Sequence, residues 1–392
     1  MERIITDITD IERYANSETF FISGWDKDPS TMNISIPIIS EAANCFKNKQ
    51  NTYYFMGESG ENKKKFFDNI ISTNQINICI NNISIAPNGT SGIFLGILSI
   101  KDKFKISNVL LISPTYFTNI NVIQMFDINL YYYHANIFDN DIIDFDKLKK
   151  MIINNNIELM IITDPLFGTG IPFNEMSYAN IFDIVKELGI WIIIDYIYGG
   201  MEWKLPIRIV NKYIIESIIN YPKILVVESI SKRLFLNGIK FAIIYSNSDL
   251  IQAIEINSES FIGSFSYVQD ELFKRIYEPS SIPIVIKQIE KNIEHIKLTF
   301  NGIKSATLGK NVFLSDCISG YFALMGIPVQ QLNGLRDNEA VFAIVDKVNI
   351  LTIPHSRYLF EDKDYYYFRV NLSMDRARLI QNINKLLDTY CY

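Results

Sequence analysis

Ser229-Ile230-Ser231-Lys232-Arg233-Leu234-Phe235-Leu236-Asn237-Gly238-Ile239-Lys240 is the stretch whose reading decides the fold. The apolar run Ile224-Leu225-Val226-Val227 precedes it and has the composition of a buried strand, so the chain passes from a sheet almost directly into Ser-x-Ser-Lys. A polar, helix-capping serine pair after a buried strand is an odd place for an amine, and it makes sense if the amine is a nucleophile. Lysines form Schiff bases with carbonyl cofactors, pyridoxal phosphate above all. Taken alone, Lys232 is as well read as a surface lysine past a strand end, so its surroundings must separate the two.

Working outward from Lys232, short apolar runs recur at Val109–Ile112, Ile128–Tyr133, Leu159–Ile162, Ile190–Ile194, Ile224–Val227 and Phe241–Tyr245, with Ile83-Ser84-Ile85 ahead of them. Strands buried on both faces are nearly continuously apolar, as in a mostly parallel sheet covered by helices. Amphipathic segments such as Asp146–Ile153 and Tyr178–Lys186 lie between them, and this alternation predicts an α/β domain. Beyond Tyr277-Glu278-Pro279 the texture changes. A helical run, Ile282 to Leu298, leads to a smaller α+β region in which Ser319–Leu324 and Tyr365–Leu372 read as strands and Asp375 to Tyr390 as a closing helix. The expected organisation is an N-terminal arm with part of the small domain over residues 1–45, a large α/β domain over 46–280 and a small α+β domain over 281–392.

Loops at the carboxyl ends of strands carry the chemistry of open α/β sheets. After Ile85 comes Asn88-Gly89-Thr90-Ser91-Gly92, small residues opening a helix, which suits an anion cradle and equally a plain N-cap. Tyr116 follows Ile112 and is placed either to stack on a flat heterocycle or to pack on the sheet edge. After Ile162 comes the turn-rich Asp164-Pro165-Leu166-Phe167-Gly168-Thr169-Gly170. Asp195 closes the run Trp191–Ile194, and a carboxylate there needs a cation, a donor or a capping role. Arg369, inside Tyr367-Phe368-Arg369-Val370-Asn371, faces either solvent or a bound anion, and its fork matches a carboxylate.

A net charge of -6 supplies no basic field for nucleic acid. The N-terminus lacks a signal-peptide pattern, and no apolar run is long enough to cross a bilayer. Cys45, Cys79, Cys317 and Cys391 are far apart and read as reduced thiols, no metal site is expected, and a cytoplasmic location is expected.

In this order the motifs resemble the class I/II aminotransferases, fold-type I enzymes dependent on pyridoxal 5'-phosphate. The resemblance runs from about Ile22 to the C-terminus and rests on Ser-x-Ser-Lys with Gly-x-basic, on Asp195-x-x-Tyr198 and on Phe368-Arg369-x-x-Leu372-Ser373. It implies a large, mostly parallel seven-stranded sheet domain and a smaller α+β domain. It further implies that Lys232 holds the cofactor as an internal aldimine and shuttles the substrate proton. By the same resemblance Asp195 pairs with the pyridinium nitrogen, Tyr198 hydrogen-bonds the phenolic oxygen, and Tyr116 stacks on the ring. Gly89, Thr90, Ser91, Ser229, Ser231 and Lys240 would lie at or near the phosphate. Arg369 would clamp the substrate carboxylate, with Phe167 and Gly24 bordering the substrate, and Tyr53 or Tyr54 would reach the phosphate of a neighbouring subunit.

Three positions depart from the family pattern. Phe167 stands where an asparagine usually donates to the phenolic oxygen, Lys240 replaces a phosphate-gripping arginine, and Tyr196 replaces an acidic residue. A lost hydrogen bond to a charged group is worth roughly 1.5–3 kcal/mol, so Phe167 alters cofactor electronics or substrate docking. The expected function is amino-group transfer between an α-amino acid and a 2-oxo acid; the alternative is a lyase, cyclase or oxidase working through the same quinonoid intermediate. The expected partners are small-molecule substrates and a second copy of the chain in a homodimer with shared active sites. His355, in Ile353-Pro354-His355-Ser356, is read as a loop histidine beside the site and a specificity candidate.

Overall fold

The computed structural model describes residues 13–28, 35–46, 60–138, 142–204, 206–236, 238–263, 266–355 and 362–391. Tyr53 and Tyr54 lie outside them. The strands are β1 (Phe20–Phe21), β2 (Ile83–Ala86), β3 (Asn108–Ser113), β4 (Asn129–His134), β5 (Leu159–Thr163), β6 (Trp191–Tyr196), β7 (Ile224–Glu228), β8 (Ala242–Tyr245), β9 (Phe313–Leu314), β10 (Phe322–Pro328), β11 (Ile350–Leu351) and β12 (Tyr365–Asn371).

β2 to β8 form a seven-stranded sheet in the order β2-β8-β7-β6-β5-β3-β4. β8 runs antiparallel to both its neighbours and the remaining pairs are parallel. The carboxyl ends of β2 to β7 therefore share one edge. Side chains alternate between two cores. Leu110, Ile112, Ile192, Ile194, Ile224 and Val226 enter one, while Val109, Leu111, Ile193, Leu225 and Val227 enter the other. Burial of both faces explains why the inner strands such as β5, β6 and β7 read as nearly unbroken apolar runs. The helix Gly89–Phe104 lies close against one face: a Cβ on Gly92 would stand 2.9 Å from Val227 Cγ1, and one on Gly96 2.9 Å from Leu225 Cδ1. The two glycines let its backbone approach the sheet.

A third core gathers Phe20 and Ile22 with residues between Ile296 and Cys391. Here β10 pairs antiparallel with β12 and β9. β1 joins β11 in parallel register, Phe20 opposite Ile350, so the N-terminal segment is stitched onto the C-terminal region. The Asn371 N–H donates to Ile22 O and the Ser23 hydroxyl to Arg369 O.

Two boundaries shift from their sequence reading. β10 begins at Phe322 rather than Ser319, because Gly320 turns the chain at φ 66° and Ser319 bridges to Glu202 instead. The helix read over Ile282–Leu298 continues to Thr307, carried by Ile296, Phe300 and Ile303 on its buried side. Among the described residues no helix is long and apolar enough to cross a membrane, and no group of three His, Cys, Asp or Glu side chains stands ready for a metal. The four cysteines are free thiols.

Candidate active site

Segments leaving β2, β3, β5, β6 and β7 converge at the shared carboxyl edge of the sheet. They wall a cavity of about 90 Å³ lined by Gly89, Thr90, Tyr116, Phe167, Asp195, Tyr198, Lys232 and Lys240, with Trp25 arriving from the N-terminal segment. A wider cleft of about 920 Å³, walled by residues such as Glu175, Lys204, Arg208 and Asp316, shares no lining residue with it. Lys232 and Asp195, the residues the sequence singled out, open onto the smaller cavity.

Asn88 caps the helix Gly89–Phe104, its side chain accepting the Ser91 N–H at 2.8 Å. The free N–H groups of the first turn thus start at the cavity wall. Gly89 permits this approach, since a Cβ there would meet Ile197 Cδ1 at 2.3 Å.

Lys232 sits in the short helix Ile230–Arg233 directly after β7. Burial, with the charges of Lys240 and Arg369 behind it, lowers its amine to about 8. A lysine held there carries an appreciable unprotonated fraction near neutral pH. Its Nζ lies 5.5 Å from the Tyr198 ring centroid. Ser229 is committed to the loop, donating to Phe241 O at 2.6 Å and accepting from the Ser231 N–H at 3.2 Å. Ser231 differs: its hydroxyl is buried and meets no partner among the described residues.

Asp195 is buried at the end of β6, and burial raises its carboxyl to about 6. Only long contacts oppose this: the Ile197 N–H at 3.4 Å, Asn119 Nδ2 at 3.5 Å and the Thr163 hydroxyl at 3.5 Å. Burial likewise pushes the Tyr198 phenol up, and the Tyr321 hydroxyl donates to it at 3.4 Å. Tyr198 therefore stays protonated and can donate.

Arg369, opposite Leu324 in the β10–β12 ladder, is fully buried. Its Nε donates to Ser23 O at 3.0 Å, while Nη1 and Nη2 find no acceptor among the described residues. The guanidinium is sandwiched, 4.1 Å from the Trp25 ring centroid, 4.4 Å from that of Phe322 and 5.5 Å from that of Phe167. A desolvated fork with two orphan donors is costly unless an anion meets it.

Phe167 is buried between Tyr116, 5.1 Å between centroids, and His355, stacked at 5.5 Å and 13°. His355 is fully buried, with Nε2 assigned as donor to Phe167 O at 3.1 Å. Burial, with Arg369 adding to it, lowers the imidazole to about 3, so it is neutral. Gly168, at φ 76°, leaves it room, since a Cβ would lie 2.3 Å from Nε2.

Gly24, Ser91, Ser229, Ser231 and Arg369 do not line the cavity wall itself. Gly24 turns the N-terminal segment, its carbonyl accepting Asn371 Nδ2 at 3.1 Å. Sequence reading passed over Asn119, Thr163 and the buried pair Glu228–Arg233. Asn119 carried a faint signal, a polar side chain on the buried side of the helix Phe117–Met125 among Phe117, Ile120 and Ile123. Arg233, next to Lys232, donates from Nε to Gly199 O at 2.8 Å and from Nη1 to Ile209 O at 2.6 Å, and its Nη2 lies 3.6 Å from Glu228 Oε2. It ties the Lys232 turn to the Tyr198–Gly200 turn.

The family model described as aminotransferase class I and II matches residues 81–386. A 1-aminocyclopropane-1-carboxylate synthase from Cucurbita maxima is 27% identical over 159 residues, 39% of this chain and 34% of that protein. A histidinol-phosphate aminotransferase from Sulfurisphaera tokodaii is 24% identical over 161 residues, 41% of each chain. The match thus spans well under half the length of either relative. Among solved structures, a methionine aminotransferase from Escherichia coli superposes with a TM-score of 0.81 at 12% identity, covering 98% of this chain and 96% of that one. At that identity the likeness speaks for the fold.

Proposed function

The chain belongs to the aminotransferase class I and II family, and from that premise we propose that it transfers an amino group between an α-amino acid and a 2-oxo acid. The family's cofactor is pyridoxal 5'-phosphate, and the residues at hand fit it. Lys232 offers a desolvated amine beside the cavity; among the described residues Asp195 is a buried carboxylate with no cation paired to it and Ser231 a buried hydroxyl with no partner. When bound, the cofactor supplies a carbonyl that condenses with amines and a protonated ring that draws electrons from the substrate α-carbon.

In this reading Lys232 would hold the cofactor, and its amine would carry the proton to and from the substrate α-carbon. Asp195 would keep the cofactor's ring nitrogen protonated, because a buried carboxylate is stable as an anion only beside a cation. Tyr198 would donate to the cofactor's phenolic oxygen, and Tyr116 would pack on the ring. Gly89, Thr90 and Ser91 at the helix start, with Ser231 and Lys240, would take the phosphate. Arg369 orients the substrate through its carboxylate, which carries the reading: two buried guanidinium nitrogens without acceptors stand among the rings that border the Lys232 cavity. We also take residues 46–280 and 281–392 as the two domains and the protein as a cytoplasmic homodimer; light scattering of the purified protein tests the dimer.

The test is a half-reaction. Holoenzyme mixed with a panel of α-amino acids should lose the absorbance of lysine-bound cofactor and gain that of the pyridoxamine form, and a 2-oxo acid should reverse the change. No change with any amino acid would overturn the proposal. A second reading, elimination or cyclisation by the same residues, is supported by Phe167, whose ring places no side-chain donor at the phenolic oxygen. Ammonia and a keto acid formed without an amino acceptor would favour it.

A further inference from the structure

We propose that Lys27 recognises a second anionic group on the substrate, so that the enzyme acts on α-amino acids whose side chain ends in a carboxylate or phosphate. This rests on the aminotransferase reading above. Lys27 lies three residues past Gly24, on the segment that β1 and Ser23 fasten to β11 and β12. Its Nζ is buried and meets no hydrogen-bond acceptor among the described residues. It rests over aromatic faces instead, 2.7 Å from the Tyr321 ring centroid and 4.7 Å from that of Phe235. Tyr321 hydrogen-bonds Tyr198, and Trp25, two residues before Lys27, covers Arg369; both Tyr198 and Trp25 line the cavity.

An aromatic face returns only part of the hydration an ammonium loses on burial. Asp26, the adjacent carboxylate, is exposed and offsets little of that loss. Lys27 also feels the charges of Lys232 and Arg369, which makes an isolated cation there still less favourable. In the reading above Lys232 is engaged by the cofactor, Lys240 faces the phosphate, and Arg369 receives the α-carboxylate. Lys27 remains: its buried nitrogen stands behind Tyr198 and Trp25 of the cavity wall and has no assigned anion. Its amine is held well below the usual lysine range, chiefly by burial, and the state that best repairs this is one with an anion against it.

The test compares matched substrates on the holoenzyme: glutamate with glutamine, aspartate with asparagine, and phosphoserine with serine. Wild type should favour the anionic member of at least one pair, and which pair shows whether the distal group is a carboxylate or a phosphate. In Lys27→Met the ratio of kcat/KM for the anionic over the neutral member should fall roughly 30-fold, mainly through KM, as expected for loss of a charge-assisted contact. Lys27→Arg should keep most of the preference. The proposal is overturned if wild type prefers the neutral members, or if Lys27→Met leaves the ratio where it was; the latter makes Lys27 a structural partner of Tyr321 only. Turnover of neutral amino acids alone overturns this proposal but not the one beneath it, whereas silence toward every amino acid overturns both.

Discussion

Replacing Arg233 with methionine keeps the side chain's bulk while removing its charge and its donors. Arg233 and Glu228 are 1% and 3% exposed, so neither can turn to water. The variant loses the pair at 3.6 Å and leaves the carbonyls of Gly199 and Ile209 without their donors. Glu228 keeps a single partner, the Tyr245 hydroxyl at 2.8 Å. Breaking a buried pair from one side costs about 3–5 kcal/mol, most of it the uncompensated charge left behind. That origin makes two further demands. The double variant Arg233→Met with Glu228→Gln should be more stable than Arg233→Met alone, by about 1–3 kcal/mol. The loss should also shrink in acid. Burial raises the Glu228 carboxyl in the folded protein, and without Arg233 nothing of opposite charge opposes this. A carboxyl raised on folding destabilises at neutral pH, and the penalty disappears as pH falls toward the unfolded value near 4.3. Urea denaturation at pH 7.5 and pH 5 measures all three effects. An Arg233→Met protein within about 1 kcal/mol of wild type, a pair no better than the single variant, or a loss that grows in acid would refute the reasoning.

The same geometry sets three other outcomes. Asp164, donated to by the Tyr178 hydroxyl and the Phe173 N–H, is raised to about 7 by burial. A raised carboxyl penalises folding increasingly from about pH 4 up through pH 7, so Asp164→Asn should gain on wild type over that window, by at most about 4 kcal/mol at pH 8; thermal melts at pH 5 and pH 8 check it. Arg369→Ala should reduce selectivity for amino acids over amines lacking the carboxylate roughly 100-fold, read from paired kcat/KM values. Asp195→Ala should bind cofactor yet lower kcat roughly 100-fold or more in the half-reaction, because the charge that keeps the ring nitrogen protonated is gone.

Much of this was legible along the chain. The inner strands of the large sheet were readable because a strand buried on both faces must be apolar at every position, as Leu159–Ile162 and Ile224–Val227 are. Lys232, Asp195 and Tyr116 were readable because each stands at or just past the end of such a strand, and a parallel sheet brings the loops at its carboxyl edge together. The limits were equally physical. His355 was readable as a loop histidine beside the site, but nothing near it in sequence announces that Phe167, 188 residues away, accepts its hydrogen bond. Lys27, between Asp26 and Asp28, reads as a solvated charge cluster until Tyr321 is brought beneath it.

The succession of strands along the chain and the position of Lys232 just past a strand end were thus determined by the sequence itself, since both depend on neighbours a few residues apart. What each charge must do was decided only by the tertiary structure. Arg369 is held by Ser23, 346 residues earlier, and whether its fork meets water or stands desolvated in wait of an anion depends on the rings of Trp25, Phe167 and Phe322 folded around it. Desolvation is a property of the space around a group, and distant parts of the chain build that space.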